Sequence, residues 1–214
     1  MATARSTWQT PGRRRQAETK RAAILDAAEE LFVASGYELT SVDAIAARAT
    51  VSKRTVYDHF GDKESLFYSV LTRVNDALVV AVRAATEQEL TDGRDLREAL
   101  LAFAQRLTTE TIPSSTYAAF RRLNARTSPA PRLPAPSSEG RRILEERFAQ
   151  LAAQGELEVH DPRRAVQHFV ALTMRLVIEA IDQDPAATVS RSELQAIIAD
   201  GVDVFLRAYR RRSA

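Results

Sequence analysis

The chain has 214 residues, enough for a full hydrophobic core without a metal or a disulfide staple, as one large domain or as a small and a medium one. It contains no cysteine, which excludes disulfides, thiolate metal sites and thiol redox sensing and makes a cytoplasmic location the expected one. No apolar run approaches the roughly 20 residues of a membrane helix, and the polar, arginine-containing start lacks the apolar core of a signal peptide, so no membrane partner is expected.

The net charge of +2 resides in residues 1–63, and in the first 21 residues six cations face the single acid Glu18. Residues 1–17 read as a flexible basic arm on a neutral body. Such an arm either meets a polyanion or is a solvated tail, and charge alone leaves both open.

Glycine and proline are sparse from Gly12 to Pro113 and strand-like alternation is missing, so the fold class expected is all-α. A first helix from about Lys20 to Ser35 carries Ile24, Leu25, Ala28, Leu31 and Phe32 on one face and stops at Gly36. Thr40 opens a capping pattern with Asp43 three residues on, and a second helix follows with Val42, Ile45 and Ala46 inward, ending near Ala49. Ser52 caps a third, short helix whose apolar pair is Val56 and Phe60; Gly61 ends it. Asp62 caps a long fourth helix from Lys63 to about Ala85.

Beyond the Thr91-Asp92-Gly93 break, Leu96, Leu100, Phe103, Ala104 and Leu107 mark another helix, and Tyr117, Phe120 and Leu123 a shorter one after Pro113. The stretch "SPAPRLPAPSSEG", Ser128 to Gly140, reads as a loop, either a connection or a lid. Helix resumes at about Arg141, ends at Gly155 and restarts at Asp161-Pro162, where aspartate caps and proline fits the first helical position. The last two helices, "FVALTMRLVIEAI" and "LQAIIADGVDVFLRAY", are apolar on more than one face and need cover on more than one side. A second copy of the chain supplies that cover in a dimer, with Phe169, Thr173, Val177, Ile198, Val202 and Phe205 at the interface and Gly201 letting helix backbones approach; an internal helix of a monomer is the competing explanation.

A helix, a three-residue break and a short second helix, over about residues 40–60, form a helix-turn-helix whose second helix enters the DNA major groove. That geometry explains why so short a helix spends its outer face on cations and hydrogen-bonding aromatics. Lys53 and Arg54 lie in its first turn, where side chains reach base edges; Arg54 has the fork that matches guanine O6 and N7. Ser52, Thr55, Tyr57 and His59 offer donors suited to phosphate oxygens, and Lys63 and Thr40 stand where the flanking helices begin. Each has a plainer role: Ser52 and Thr40 as caps, His59 as a structural histidine, Tyr57 as packing.

Four stretches, "RAAILDAAEELFVASGY", "TSVDAIAARA", "VSKRTVYDHF" and "DKESLF", resemble the DNA-binding domain of the TetR/AcrR family of transcriptional regulators, from Lys20 to Phe67. The resemblance implies a two-fold dimer on a double-stranded, palindromic operator, with a helical C-terminal domain for a small-molecule effector that releases a repressor. It implies phosphate contacts at Thr40 or Ser41, Thr55, Tyr57, His59 and Lys63, and base contacts at Lys53 and Arg54. Two positions depart from the family pattern: Thr50 stands where the turn glycine is usual, and Arg54 where a small residue is. The segment "LAAQGELEVHDPRRAVQHFV" is similar to C-terminal domains of AefR-like members.

The organisation expected is therefore an arm over 1–17, a three-helix helix-turn-helix domain over 18–78, and a helical-bundle ligand-binding and dimerisation domain over 79–214. Phe67, Leu71, Phe103, Leu107, Tyr117, Phe120, Met174 and Ile178 stand at spacings that line an effector pocket or simply fill a core. An enzyme is disfavoured: His59, His160 and His168 have no metal-ligand spacing, and neither a glycine-rich phosphate loop nor a nucleophile elbow is present, so no cofactor is expected. Arg175 and Glu179 are a candidate buried pair or polar hook, and an architectural DNA-binding protein without an effector is the other rival.

Overall fold

The computed structural model describes residues 11–110, 138–183 and 189–211. These form α1 (Pro11–Ser35), α2 (Val42–Arg48), α3 (Lys53–Phe60), α4 (Lys63–Glu89), α5 (Leu96–Glu110), α6 (Ser138–Ala153), α7 (Pro162–Val170), a π-helical turn (Ala171–Arg175), α8 (Leu176–Gln183) and α9 (Arg191–Tyr209). The protein is all-α, with one isolated antiparallel bridge, Leu157 to Arg210, among the described residues. Contacts divide the chain into two compact units within α4, between Arg73 and Val74, a few residues before the boundary expected after residue 78.

In the first unit α1 starts at Pro11, well before the predicted Lys20. Residues 11–17, expected in a flexible arm, are therefore helical. Proline suits the first helical position because its missing N–H would be unpaired there anyway, and the arginines, Gln16 and Ala17 that follow are good helix formers without an apolar face for a pattern to detect. The core of this unit joins Ile24, Ala28 and Phe32 of α1, Ile45 of α2, Val56 of α3 and Leu66, Phe67 and Val70 of α4, all at most 2% exposed. Phe67 meets Phe32 edge-on with ring centres 5.1 Å apart and packs on Tyr37 at 4.9 Å.

The break between α2 and α3 is a Schellman motif. Val51 N–H bonds to Ala46 C=O at 3.0 Å and Thr50 N–H to Ala47 C=O at 3.2 Å, the pair of bonds that closes a helix over a left-handed residue. That residue is Thr50, at φ 56°, so the site requires positive φ although glycine is missing from it.

In the second unit, Phe103, Phe148, Phe169 and Phe205 are fully buried, with adjacent ring centres 5.3 to 6.0 Å apart. The helix expected to restart at Asp161-Pro162 gives way after Val170 to the π turn, where Thr173 is buried and its hydroxyl donates to Phe169 C=O at 2.7 Å. Gly201 of α9 sits against this turn. A Cβ added there would lie 2.1 Å from the Leu172 carbonyl oxygen, so the close backbone approach predicted for Gly201 occurs inside one chain.

Three further expectations change. Phe169, Thr173, Val177, Ile198, Val202 and Phe205 are 0–1% exposed in a single chain, so they are core and cannot form a dimer surface; periodicity finds apolar faces but does not tell which of two is covered internally. The helix of α6 begins at Ser138, so Ser138 to Gly140 belong to it, whereas the rest of the predicted loop and the helix around Tyr117, Phe120 and Leu123 lie outside the described residues. The helix α4 contains an 18-residue window of mean hydropathy 1.3, enough by length and composition for a membrane span, but Leu66, Phe67, Val70 and Leu71 from its first half are core residues of the first unit.

Candidate nucleic-acid interface

The surface centred on α3 is built by two side-chain caps. Ser41 caps α2, accepting from Ala44 N–H at 3.1 Å. Ser52 caps α3, accepting from Thr55 N–H at 3.1 Å and pairing with the Thr55 hydroxyl at 2.8 Å. Thr40 is not the cap. It is 3% exposed and its hydroxyl donates to Gly36 C=O at 2.7 Å, with Leu31 C=O at 3.1 Å. Thr40 thus ties the end of α1 to the start of α2, and its buried hydroxyl is not available to a phosphate.

With Val56 and Phe60 buried, α3 turns Lys53, Arg54, Tyr57 and Asp58 outward. The side chain of Arg54 is 90% exposed and reaches no closer than 3.9 Å to Asp58; its five N–H donors remain presented to solvent. Lys53 differs: its Nζ donates to Asp43 Oδ2 at 2.8 Å, and that hydrogen bond and the Asp43 charge raise its pKa. Tyr57 is 42% exposed. His59 is half-buried, its ring 6.3 Å from that of Phe60.

Lys63 opens α4 and is half-buried. Its ammonium lies 4.3 Å from the centre of the Tyr37 ring and donates to Glu38 C=O at 3.4 Å, a cation–π contact worth about 0.5–1 kcal/mol at a solvent-facing site. Burial first, and then Glu64, raise the Tyr37 pKa, keeping that ring neutral beneath the lysine. Asp62 caps α4 by accepting from Ser65 N–H at 2.7 Å, and that bond lowers its pKa.

Supports that motif reading missed surround this surface. Arg48 is held in a fork by Glu30, at 2.9 and 2.6 Å. Arg21 covers the Phe60 ring at 4.9 Å, and Arg73 of α4 pairs with Asp26 and Glu29 of α1. The partners are distant in sequence, so spacing carries no sign of them. Asp43 had a local signal that pointed elsewhere: its place three residues after Thr40 suggested a capping box, but with Ser41 as cap its carboxylate is free to reach Lys53.

Such a surface fits the sequence resemblance, and comparison with known proteins decides the family. Residues 24–70 match the family model described as "Bacterial regulatory proteins, tetR family", and residues 98–211 match the "AefR-like transcriptional repressor, C-terminal domain". The chain belongs to the TetR family. The HTH-type transcriptional regulator TcmR of Streptomyces glaucescens is 32% identical over 175 residues, 78% of this chain and 76% of TcmR. The transcriptional activator FasR of Mycolicibacterium smegmatis is 41% identical over 92 residues, 43% of this chain and 42% of FasR. A solved TetR-family structure from Mesorhizobium loti superposes with a TM-score of 0.81 at 25% identity, covering 91% of this chain and 98% of that one. The protein is thus a DNA-binding transcriptional regulator and not an enzyme.

Of the pocket candidates in this TetR-family chain, Phe67 and Leu71 are 1% and 2% exposed and belong to the first unit, where the Phe67 ring meets Phe32 of α1. Phe103 and Leu107 are buried in the core of the second unit, and Met174 and Ile178 pack partly against it. Tyr117 and Phe120 lie outside the described residues. Arg175 and Glu179 are exposed, so they are not a buried pair.

Proposed function

We propose that the protein represses transcription by binding a palindromic operator as a homodimer in the cytoplasm, and that a small-molecule effector taken up by its second unit releases it. The observation that carries this reading is the outward face of α3. Arg54 is solvent-presented in the first turn of a helix that the Thr50 turn and the Ser52 cap hold against α2. In this reading Arg54 and Lys53 reach base edges, while Ser41, Ser52, Thr55, Tyr57, His59 and Lys63 meet or steer phosphates. The match of residues 98–211 to an AefR-like repressor domain supports repression.

The dimer surface is the outer side of α8 and α9, where Leu176 and Val204 are each 44% exposed. A two-fold pair of α3 helices then spans about one DNA turn, roughly 34–36 Å. The test is a duplex carrying an inverted repeat from DNA flanking the protein's own gene. Two chains per duplex are expected, with twice the chain mass in light scattering; a strict monomer that binds the duplex one to one contradicts the proposal.

A further inference from the structure

The two cations that open α3 are held differently. Arg54 has a 90% exposed side chain and, among the described residues, a distant carboxylate, Asp58 at 3.9 Å. Lys53 is bonded at 2.8 Å to Asp43, one helix earlier, with side chains 50% and 67% exposed. Both ends of that bond are anchored. Asp43 lies in the first turn of α2, set by the Ser41 cap, and Lys53 in the first turn of α3, set by the Ser52 cap, while the Schellman bonds at Ala46 and Ala47 fix the turn between them.

A lysine that neutralises a phosphate releases counterions, and each such contact adds about 0.9 to the slope of log K against log salt. Lys53 comes to a duplex with its counter-anion attached, so the pair presents no net charge to phosphates. An ammonium has three N–H donors. One is committed to Asp43, and the tether limits where the remaining two point. A donor held in the first turn of a groove-entering helix is suited to a base-edge acceptor, such as guanine O6 or N7, rather than to whichever phosphate lies near.

We propose that Asp43 is a positioning and specificity-determining residue for DNA reading: its carboxylate withdraws Lys53 from the phosphate contacts and aims it at a base edge. This rests on α3 being the DNA-reading helix. Removing the carboxylate releases Lys53 to neutralise phosphates of any sequence, so binding strengthens on unrelated DNA and the preference for the operator narrows.

The experiment measures binding of the full chain to two duplexes by fluorescence anisotropy from 0.05 to 0.3 M salt. One duplex is the sequence enriched from a randomised pool and the other is unrelated. For Asp43→Asn the salt slope on the unrelated duplex is expected to steepen by about 0.9 per half-site, equivalent to about eightfold tighter binding per half-site at 0.1 M relative to 1 M salt. The ratio of the two affinities should fall. For Lys53→Gln the slope should stay unchanged while sequence preference weakens, and adding Asp43→Asn to Lys53→Gln should change the slope no further. A slope made shallower by about 0.9 per half-site in Lys53→Gln overturns the proposal, and so does an unchanged slope in a folded Asp43→Asn. Should Asp43→Asn fail to fold, Lys53→Gln decides alone. Wild-type protein that binds neither duplex removes the DNA-reading role of α3 itself, whereas binding with the wrong slopes removes only the role of Asp43.

Discussion

Replacing Thr50 by glycine should make the protein more stable. Thr50 is a β-branched residue at φ 56°, a conformation that costs an L-residue roughly 1–2 kcal/mol. Its side chain is exposed, so little packing is lost on removal. Glycine brings back about 0.5–1 kcal/mol of unfolded-chain entropy, which leaves a net gain of about 0.5–1 kcal/mol. The chain contains its own control. After α6, Glu156 N–H bonds to Leu151 C=O and Gly155 N–H to Ala152 C=O, both at 3.0 Å, the same motif around Gly155 at φ 81°. Gly155→Thr should reverse the gain and cost about 0.5–1 kcal/mol by the same difference, with added crowding because Arg211 Nη1 would stand 3.3 Å from the new Cβ. Urea unfolding followed by far-UV ellipticity measures both: at about 2 kcal/mol per molar urea, Thr50→Gly should raise the midpoint by about 0.25–0.5 M. A lowered midpoint for Thr50→Gly would show that the turn is not strained and refute the reasoning.

Other perturbations test separate parts of the structure. Gly201→Ala forces a methyl to within 2.1 Å of the Leu172 oxygen and should destabilise the second unit by about 3 kcal/mol, read from the same urea curves; a change below about 0.5 kcal/mol would contradict the close approach. Hydrogen bonds from Arg94 and Arg106 hold the Glu89 carboxyl below its ordinary value of 4.5, and Arg97 holds Asp203 below 3.8. A carboxylate with a lowered folded-state pKa contributes stability above its unfolded value and loses it as pH falls through the folded one. Stability should therefore drop below about pH 4.5, and Glu89→Gln should lower it near neutrality and flatten the drop; an unchanged acid limb in Glu89→Gln would dismiss that network. Tyr57→Phe and Lys63→Ala should weaken binding to operator and unrelated duplexes by similar factors, since a phosphate has no base identity. A change of preferred sequence in either variant would reassign it to base reading.

The helical order was legible because its signals are local. Ser52, Gly61, Asp62, Asp161-Pro162 and Gly155 punctuate the chain through their own backbone chemistry, and Val56 with Phe60 shows which side of α3 is inward. Thr40 misled because two adjacent hydroxyl residues precede α2 and pattern alone does not tell which is buried; the answer depends on carbonyls of Leu31 and Gly36. The last two helices misled similarly. Their all-round apolarity announces cover on several sides, but Phe169 and Phe205 find that cover in Phe148 and in each other. The π turn packs against Gly201 at the Leu172 carbonyl, a tertiary contact that no period reports. In the surface proposed to face DNA, residue types were readable and their restraints were not: the Asp43, Glu30 and Tyr37 partners come from other helices or connecting turns.

Selection on randomised duplexes, with wild type beside Arg54→Ala, tests the central claim most directly. Wild type should enrich a palindrome with half-sites about one DNA turn apart. Arg54→Ala should cost about 1–3 kcal/mol per half-site and lose preference mainly at one symmetric base position. A motif left unaltered in Arg54→Ala, or no enrichment by wild type, would contradict the assignment of α3 as the helix that reads the operator.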